Sequence, residues 1–310
     1  MRLLKSFCWR KRPVIAGSPG EGRGRTGTQD LLLESCFRGN ENPFWATVGF
    51  TPKSGGKMPL VLFEKDKEIL RVSLNRTPAL NAINSTVLQE LENGLKDHLT
   101  DPDIRALLLF GQGGCFASGA DIRELSSLSE EGIRSFHRLR ERTFALLENF
   151  PCPTIAVIQR YALGTGLELA LCCDFRLAAA DARLGIPSAR LGLVESYEYF
   201  TRAVRTAGPA WTRRMVFTGD PVDADTALRI GLVEEVSPPE YIFERTDQLL
   251  AKILKNSFSA IRQTKRVIAD CARDPNLFLI SDPALPLVDS TRAPDFKAAT
   301  QAFIKKREKG

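Results

Sequence analysis

The stretch Pro153–Ala180, PTIAVIQRYALGTGLELALCCDFRLAAA, decides how this chain folds. Pro153 ends whatever helix precedes it, and the apolar run Thr154 to Ile158 that follows reads as a buried strand. Gly164 to Asp174 opens on small residues and reads as a helix, and Phe175 to Ala179 reads as another strand. Strand, helix and strand in such close succession are the unit of an α/β fold. Tyr161 to Ala180 is also the most apolar window of the chain. Glu168, Asp174 and Arg176 interrupt it, so it is not a membrane-spanning helix.

Upstream the same alternation continues. Leu60 to Phe63 and Ile69 to Leu74 flank Glu64-Lys65-Asp66-Lys67 and suggest a hairpin. Ser85 to Leu99 has helical spacing at Val87, Leu88, Leu91 and Leu95, with Ser85 as the expected cap. Ala106 to Phe110 reads as a strand ended by Gly111-Gln112-Gly113-Gly114. Glu130 to Phe150 carries a helical stripe at Ile133, Phe136, Leu139, Leu146 and Leu147. Helical patterns dominate after Pro209. The class is α/β with a helical C-terminal part, and no internal repeat is present.

Of 310 residues, 43% are hydrophobic and 26% charged, which excludes disorder, collagen and coiled coil as the main account. Seven scattered cysteines without a C-x-x-C pair read as reduced intracellular thiols. The net charge of +6 is unevenly placed: residues 1–57 hold ten of the 43 Lys/Arg and four of the 37 Asp/Glu, leaving 33 of each in the rest. An electroneutral body argues against a nucleic-acid partner, and RNA binding through the basic segment is the weakest of the alternatives. Gly17 to Arg25 and Thr51 to Gly56 are linker-like, so residues 1–57 are expected to be a flexible, dispensable extension. The segment has no acid before Glu21, as in an organelle presequence, and an upstream read-through with Met58 as the working start fits equally. Its glycines imitate a phosphate loop, but no strand precedes them and no Gly-Lys-Ser/Thr follows.

Two small-residue segments that lead into helices can carry chemistry: Phe116-Ala117-Ser118-Gly119-Ala120-Asp121-Ile122 and Tyr161-Ala162-Leu163-Gly164-Thr165-Gly166-Leu167-Glu168. Each exposes backbone N–H groups at a helix start, and two such groups converging on one oxygen make an oxyanion hole. Close backbone packing explains either segment alone, and Asp121 with Glu124 also fits a capping pair. Cys172 and Cys173 read as small core residues and His137 as solvated. With two histidines in the chain, neither a Ser/His/Asp triad nor a metal-ligand cluster is expected.

These segments and their surroundings resemble the crotonase, or enoyl-CoA hydratase/isomerase, superfamily, from about Leu60 to Lys309. The resemblance includes Leu74-Asn75-Arg76, Ala79-Leu80-Asn81-Ala82-Ile83-Asn84, the Ala117-to-Asp121 loop, Gly185-Ile186-Pro187, Leu191-Gly192-Leu193, Thr218-Gly219-Asp220, Ala227 to Val233 and Phe303-Ile304-Lys305-Lys306-Arg307. It implies a crotonase-like ββα spiral core over 58–255 and a C-terminal helical trimerisation region over 256–310, assembled as a homotrimer or dimer of trimers. It implies an acyl-CoA thioester substrate, no cofactor beyond the CoA it carries, and no membrane or metal. The Ala120 and Thr165 amides would polarise the thioester carbonyl. Main chain near Ala79, Leu80, Ala82, Asp121 and Ile122, with Phe303 and Lys306, would contact CoA.

By the same resemblance Glu168 is the general acid/base. The second glutamate of the usual hydratases is replaced by Ser188, a hydroxyl too weak to stand in for a carboxylate near neutral pH. The family's small stretch after Leu193 is here the bulkier Val194-Glu195-Ser196-Tyr197-Glu198-Tyr199-Phe200, and Glu195 is the candidate for the missing acid. Dehalogenase and decarboxylase relatives carry reactive side chains at or beside the positions of Glu195 and Ser196. Hydration of an enoyl- or dienoyl-CoA is the leading expectation. Double-bond isomerisation, thioester hydrolysis, decarboxylation and a non-catalytic acyl-CoA-binding subunit stay open. The expected location is cytoplasmic, or mitochondrial if residues 1–57 include a presequence.

Overall fold

The computed structural model describes residues 58–274 and 284–307, without the side chains of Leu285, Phe303, Lys306 and Arg307. The expectations for residues 1–57 therefore lie outside the described residues. The strands are β1 (Val61–Asp66), β2 (Ile69–Leu74), β3 (Ala106–Gly111), β4 (Thr154–Ile158), β5 (Tyr161–Leu163), β6 (Phe175–Ala179), β7 (Arg183–Gly185), β8 (Val222–Asp223) and β9 (Glu235–Ser237). The helices are α1 (Ser85–His98), α2 (Ile122–Ser127), α3 (Glu130–Glu148), α4 (Thr165–Leu171), α5 (Tyr197–Thr218), α6 (Ala224–Arg229), α7 (Ile242–Leu254), α8 (Phe258–Arg273), α9 (Leu285–Arg292) and α10 (Pro294–Arg307).

Six strands pair in the order β1-β2-β3-β4-β6-β9, and β5-β7-β8 form a smaller sheet. The expected hairpin is β1 against β2, with Asp66 opposite Ile69; every other pair in the large sheet is parallel. Along β3 the side chains alternate between two cores. Leu107 and Leu109 face the larger one with α1, α3 and α4, while Ala106 and Leu108 face Ile242, Phe243 and Leu250 of α7. Ala156 and Ile158 of β4 divide from Ile155 and Val157 in the same way. A parallel sheet covered on both faces has this continuous apolar composition.

Two local expectations need correction. Asn84, not Ser85, caps α1, because its Oδ1 accepts from Val87 N at 2.9 Å. Asp121 does cap α2, but Glu124 does not bond back to it: Glu124 Oε2 accepts from Ser85 N at 2.9 Å, tying α2 to the start of α1. The Asp121 amide is meanwhile taken by Ile83 O. Downstream, Asp174 links β4 to α8, accepting from Thr154 N at 2.8 Å and pairing with Lys265 at 2.7 Å. Among the described residues no helix is long and apolar enough to cross a membrane.

Candidate active site

The chain reaches the site through backbone positions that only glycine fills easily. Gly164 has φ 49° and ψ −125°, a conformation closed to L side chains, and turns β5 into α4. A Cβ on Gly166 would lie 2.4 Å from Ala117 O, so the first turn of α4 presses directly on the other small-residue loop. The parallel bridge Ala117–Ala162 holds the two segments together. A Cβ on Gly164 would sit 4.0 Å from Gly119 Cα, so the residues just before Ala120 and Thr165 are neighbours.

The hydrogen bonding around these two residues has a simple logic. Ile83 bridges Ala120 by donating to Gly119 O and accepting from Asp121 N, at 2.8 Å each. In that parallel pattern the N–H of Ala120 itself points away from Ile83. Thr165 is the first residue of α4, where an N–H has no acceptor within the helix. The other expected contacts lie on the same loop. Ser118 N donates to Leu80 O at 3.0 Å and its hydroxyl to Ala79 O at 3.3 Å. Arg76 bonds Ala82 O at 3.0 Å and pairs with Asp121 at 2.6 Å. Ala79, Leu80, Ala82, Asp121 and Ile122 thus gather beside Ala120. The side chains of Phe303 and Lys306 lie outside the described residues.

Glu168 sits in the first turn of α4 with its side chain wholly buried. Arg202 of α5 donates to its Oε1 at 3.0 Å, and Arg140 Nε of α3 stands 3.4 Å from its Oε2. That Oε2, Arg140 Nε, Glu141 Oε1 and Ser188 Oγ are buried polar atoms without a hydrogen-bond partner. Arg202 also binds Glu141 at 3.1 Å and Glu148 at 3.1 Å, and Arg140 Nη1 lies 3.7 Å from Glu195. Two guanidinium groups are therefore shared among four carboxylates. Burial pushes the Glu168 pKa up to about 8; Glu141 and Glu195 add to the rise, and Arg140 and Arg202 only partly offset it. Burial likewise raises the Glu195 pKa against the pull of Arg140.

Of the predicted side chains, Glu195 joins Glu168 through Arg140 rather than standing as an isolated loop acid. Ser188 is 5% exposed in the short 3-10 turn Pro187–Leu191. Ser196 caps α5, its Oγ accepting from Tyr199 N at 3.2 Å, and is thus committed to the helix. Cys172 and Cys173 are core residues. His137 is only half-exposed, 3.9 Å from Glu141 and 3.5 Å from Glu198, where a solvated side chain was expected. These three ligand-type groups lie within 4.8 Å of one another, a cluster that the shortage of histidines does not suggest.

A model of the enoyl-CoA hydratase/isomerase family matches residues 64–309. The chain belongs to this family. It is 33% identical over 251 residues to a crotonyl-CoA hydratase of Syntrophomonas wolfei, covering 80% of this chain and 96% of that protein. It is 34% identical over 252 residues to a short-chain-enoyl-CoA hydratase of Clostridium acetobutylicum, covering 80% and 95%. The solved structure of Pseudomonas aeruginosa DspI superposes with a TM-score of 0.75 at 32% identity, over 83% of this chain and 98% of that one.

Within this enoyl-CoA hydratase/isomerase fold, sequence reasoning missed Arg140, Arg202 and Tyr199. For Arg140 a signal exists. It occupies the buried stripe Phe136, Arg140, Thr143, Phe144, Leu147, where helical spacing calls for an apolar residue. An arginine at such a place marks a buried carboxylate nearby. Arg202 and Tyr199 share the same buried face of α5.

Proposed function

We propose that this protein hydrates the double bond of an enoyl-CoA or dienoyl-CoA thioester. The Ala120 and Thr165 amides take the thioester oxygen. Water adds its oxygen to Cβ, the π electrons move into the thioester enolate, and a proton reaches Cα. Glu168, protonated below about pH 8, is the general acid that supplies the proton. Glu195 accepts the proton of the attacking water, and Ser188 Oγ orients that water. The single observation that carries this reading is the buried Oε2 of Glu168, which has Arg140 Nε at 3.4 Å but no hydrogen-bond partner, in the first turn of the helix whose leading amide is Thr165.

CoA lies along Ala79, Leu80, Ala82, Asp121 and Ile122, and no further cofactor takes part. The C-terminal helices assemble the chain as a homotrimer or a dimer of trimers. In support, α8 has no buried residue and leaves Ile268 63% exposed.

The test is hydration of crotonyl-CoA by the purified protein, followed as loss of the conjugated enoyl absorbance. Glu168→Gln is expected to lower kcat by about 10²- to 10³-fold with crotonyl-CoA still bound. Unchanged turnover removes Glu168 from the mechanism. The bond from Arg202 to Glu168 Oε1 favours a second reading, a non-catalytic acyl-CoA-binding subunit in which Glu168 is structural. Binding without turnover across a panel of unsaturated CoA esters would establish it.

A further inference from the structure

Tyr199, on the first turn of α5, is wholly buried and stacks beside Phe200 with ring centroids 6.2 Å apart. Its hydroxyl donates to Gly164 O at 2.7 Å. That carbonyl also accepts the Glu168 N–H at 3.0 Å, and Gly164 N donates to Gly185 O at 2.9 Å. Gly164 C=O and Thr165 N–H belong to one planar peptide unit. A donor on the carbonyl draws electron density from the amide nitrogen and makes its N–H a stronger donor in turn. We propose that Tyr199 is a positioning residue for the Thr165 amide: its hydroxyl fixes and polarises the Gly164–Thr165 peptide that faces the thioester oxygen. This inference rests on the reading of Ala120 and Thr165 as the donors to that oxygen.

The chemistry sets the size of the effect. Removing an oxyanion donor outright costs about 10²- to 10³-fold in kcat. Tyr199 acts one peptide away, through a hydrogen bond of ordinary strength, so its loss should cost about five- to tenfold. Gly164 O keeps the Glu168 N–H in Tyr199→Phe, so the turn into α4 stays in place. A phenol that merely satisfies its own burial would leave the bound thioester unaffected, and this separates the two roles.

The experiment is difference infrared spectroscopy of butyryl-CoA, a saturated ester with no double bond to hydrate, carrying 13C at the thioester carbonyl, bound to the full-length protein. The wild-type carbonyl stretch is expected below its solution frequency, with Tyr199→Phe returning part of that shift. For crotonyl-CoA hydration Tyr199→Phe should lower kcat about five- to tenfold while KM stays within about twofold. Replacement of Tyr199 by 3-fluorotyrosine, a stronger donor, should restore or deepen the shift. A wild-type carbonyl at its solution frequency, or a failure to bind, overturns the reading of Ala120 and Thr165, and this inference with it. A wild-type shift that Tyr199→Phe leaves unchanged overturns the role of Tyr199 alone. Should Tyr199→Phe fail to fold, the fluorotyrosine protein decides: a carbonyl frequency identical to wild type sinks the proposal.

Discussion

Arg202 holds Glu168 by one oxygen only: its Nη1 is 3.0 Å from Oε1, while Oε2 is left facing Arg140 Nε at 3.4 Å. The carboxylate is thus anchored from α5 and open toward α3. The same guanidinium also serves Glu141 and Glu148.

Arg202→Met leaves buried carboxylate oxygens without their cation. It should destabilise the fold by about 3–5 kcal/mol, as expected when one partner of a buried ion pair is removed. Urea denaturation measures it. Above about pH 8, where Glu168 is ionised, adding Glu168→Gln should recover part of the loss, and a cost below about 1 kcal/mol for Arg202→Met would show the pairs it makes to be energetically idle.

Glu168 also sets a pH dependence of stability. Its folded pKa of about 8 stands above the ordinary value of 4.5, so the folded state binds its proton more tightly than the unfolded chain does. The resulting stabilisation is full below about pH 4.5 and disappears as pH rises through about 8. At 1.36 kcal/mol per pH unit this is on the order of 5 kcal/mol. The denaturation midpoint of wild type should fall relative to that of Glu168→Gln as pH rises over that window; parallel curves would contradict the shift.

Activity should follow the same proton. The kcat/KM for crotonyl-CoA hydration should fall as pH rises through about 8, where Glu168 of the free enzyme loses the proton it donates. Glu195→Gln should reduce kcat/KM by about 10²-fold yet keep an alkaline limb, moved to lower pH because the Glu195 charge helps to raise the Glu168 pKa. A pH–rate series on both proteins checks this. An alkaline limb that vanishes in Glu195→Gln would exchange the two roles.

Gly166→Ala places a methyl carbon 2.4 Å from Ala117 O, a backbone atom that cannot swing aside. The Ala117 loop and α4 must then separate, at a cost of about 1–3 kcal/mol. Because Ala120 and Thr165 lie just beyond this contact, kcat should drop more than the melting temperature alone implies. Calorimetry together with turnover on crotonyl-CoA gives both numbers.

How far the sequence was legible depends on the range of the forces involved. The hairpin, the β3 and β4 strands and the α3 helix follow from short-range periodicity, and the structure bears them out. The α1 cap was misplaced by one residue because Asn84 and Ser85 are both good caps, and only the backbone angles at Asn84 choose between them. The loop around Ala120 and the turn at Gly164 were legible because small residues in that order leave few backbone paths. Arg140, Arg202 and Tyr199 were not. Each acquires its partner from another element, as Arg202 does with Glu168 34 positions away, and local spacing says nothing of such pairs. Glu195 is legible in the sequence only as a candidate for the missing acid, and what ties it to Glu168 is a guanidinium on α3.

Ser196 and Glu195 divide their labour cleanly. The hydroxyl at 196 starts α5 by accepting from Tyr199 N, and the carboxylate at 195 takes no part in that cap. The side chain at 195 is therefore an exchangeable cassette on a fixed mount. Swapping its acid for another group would redirect the reaction without unseating the helix that carries Arg202.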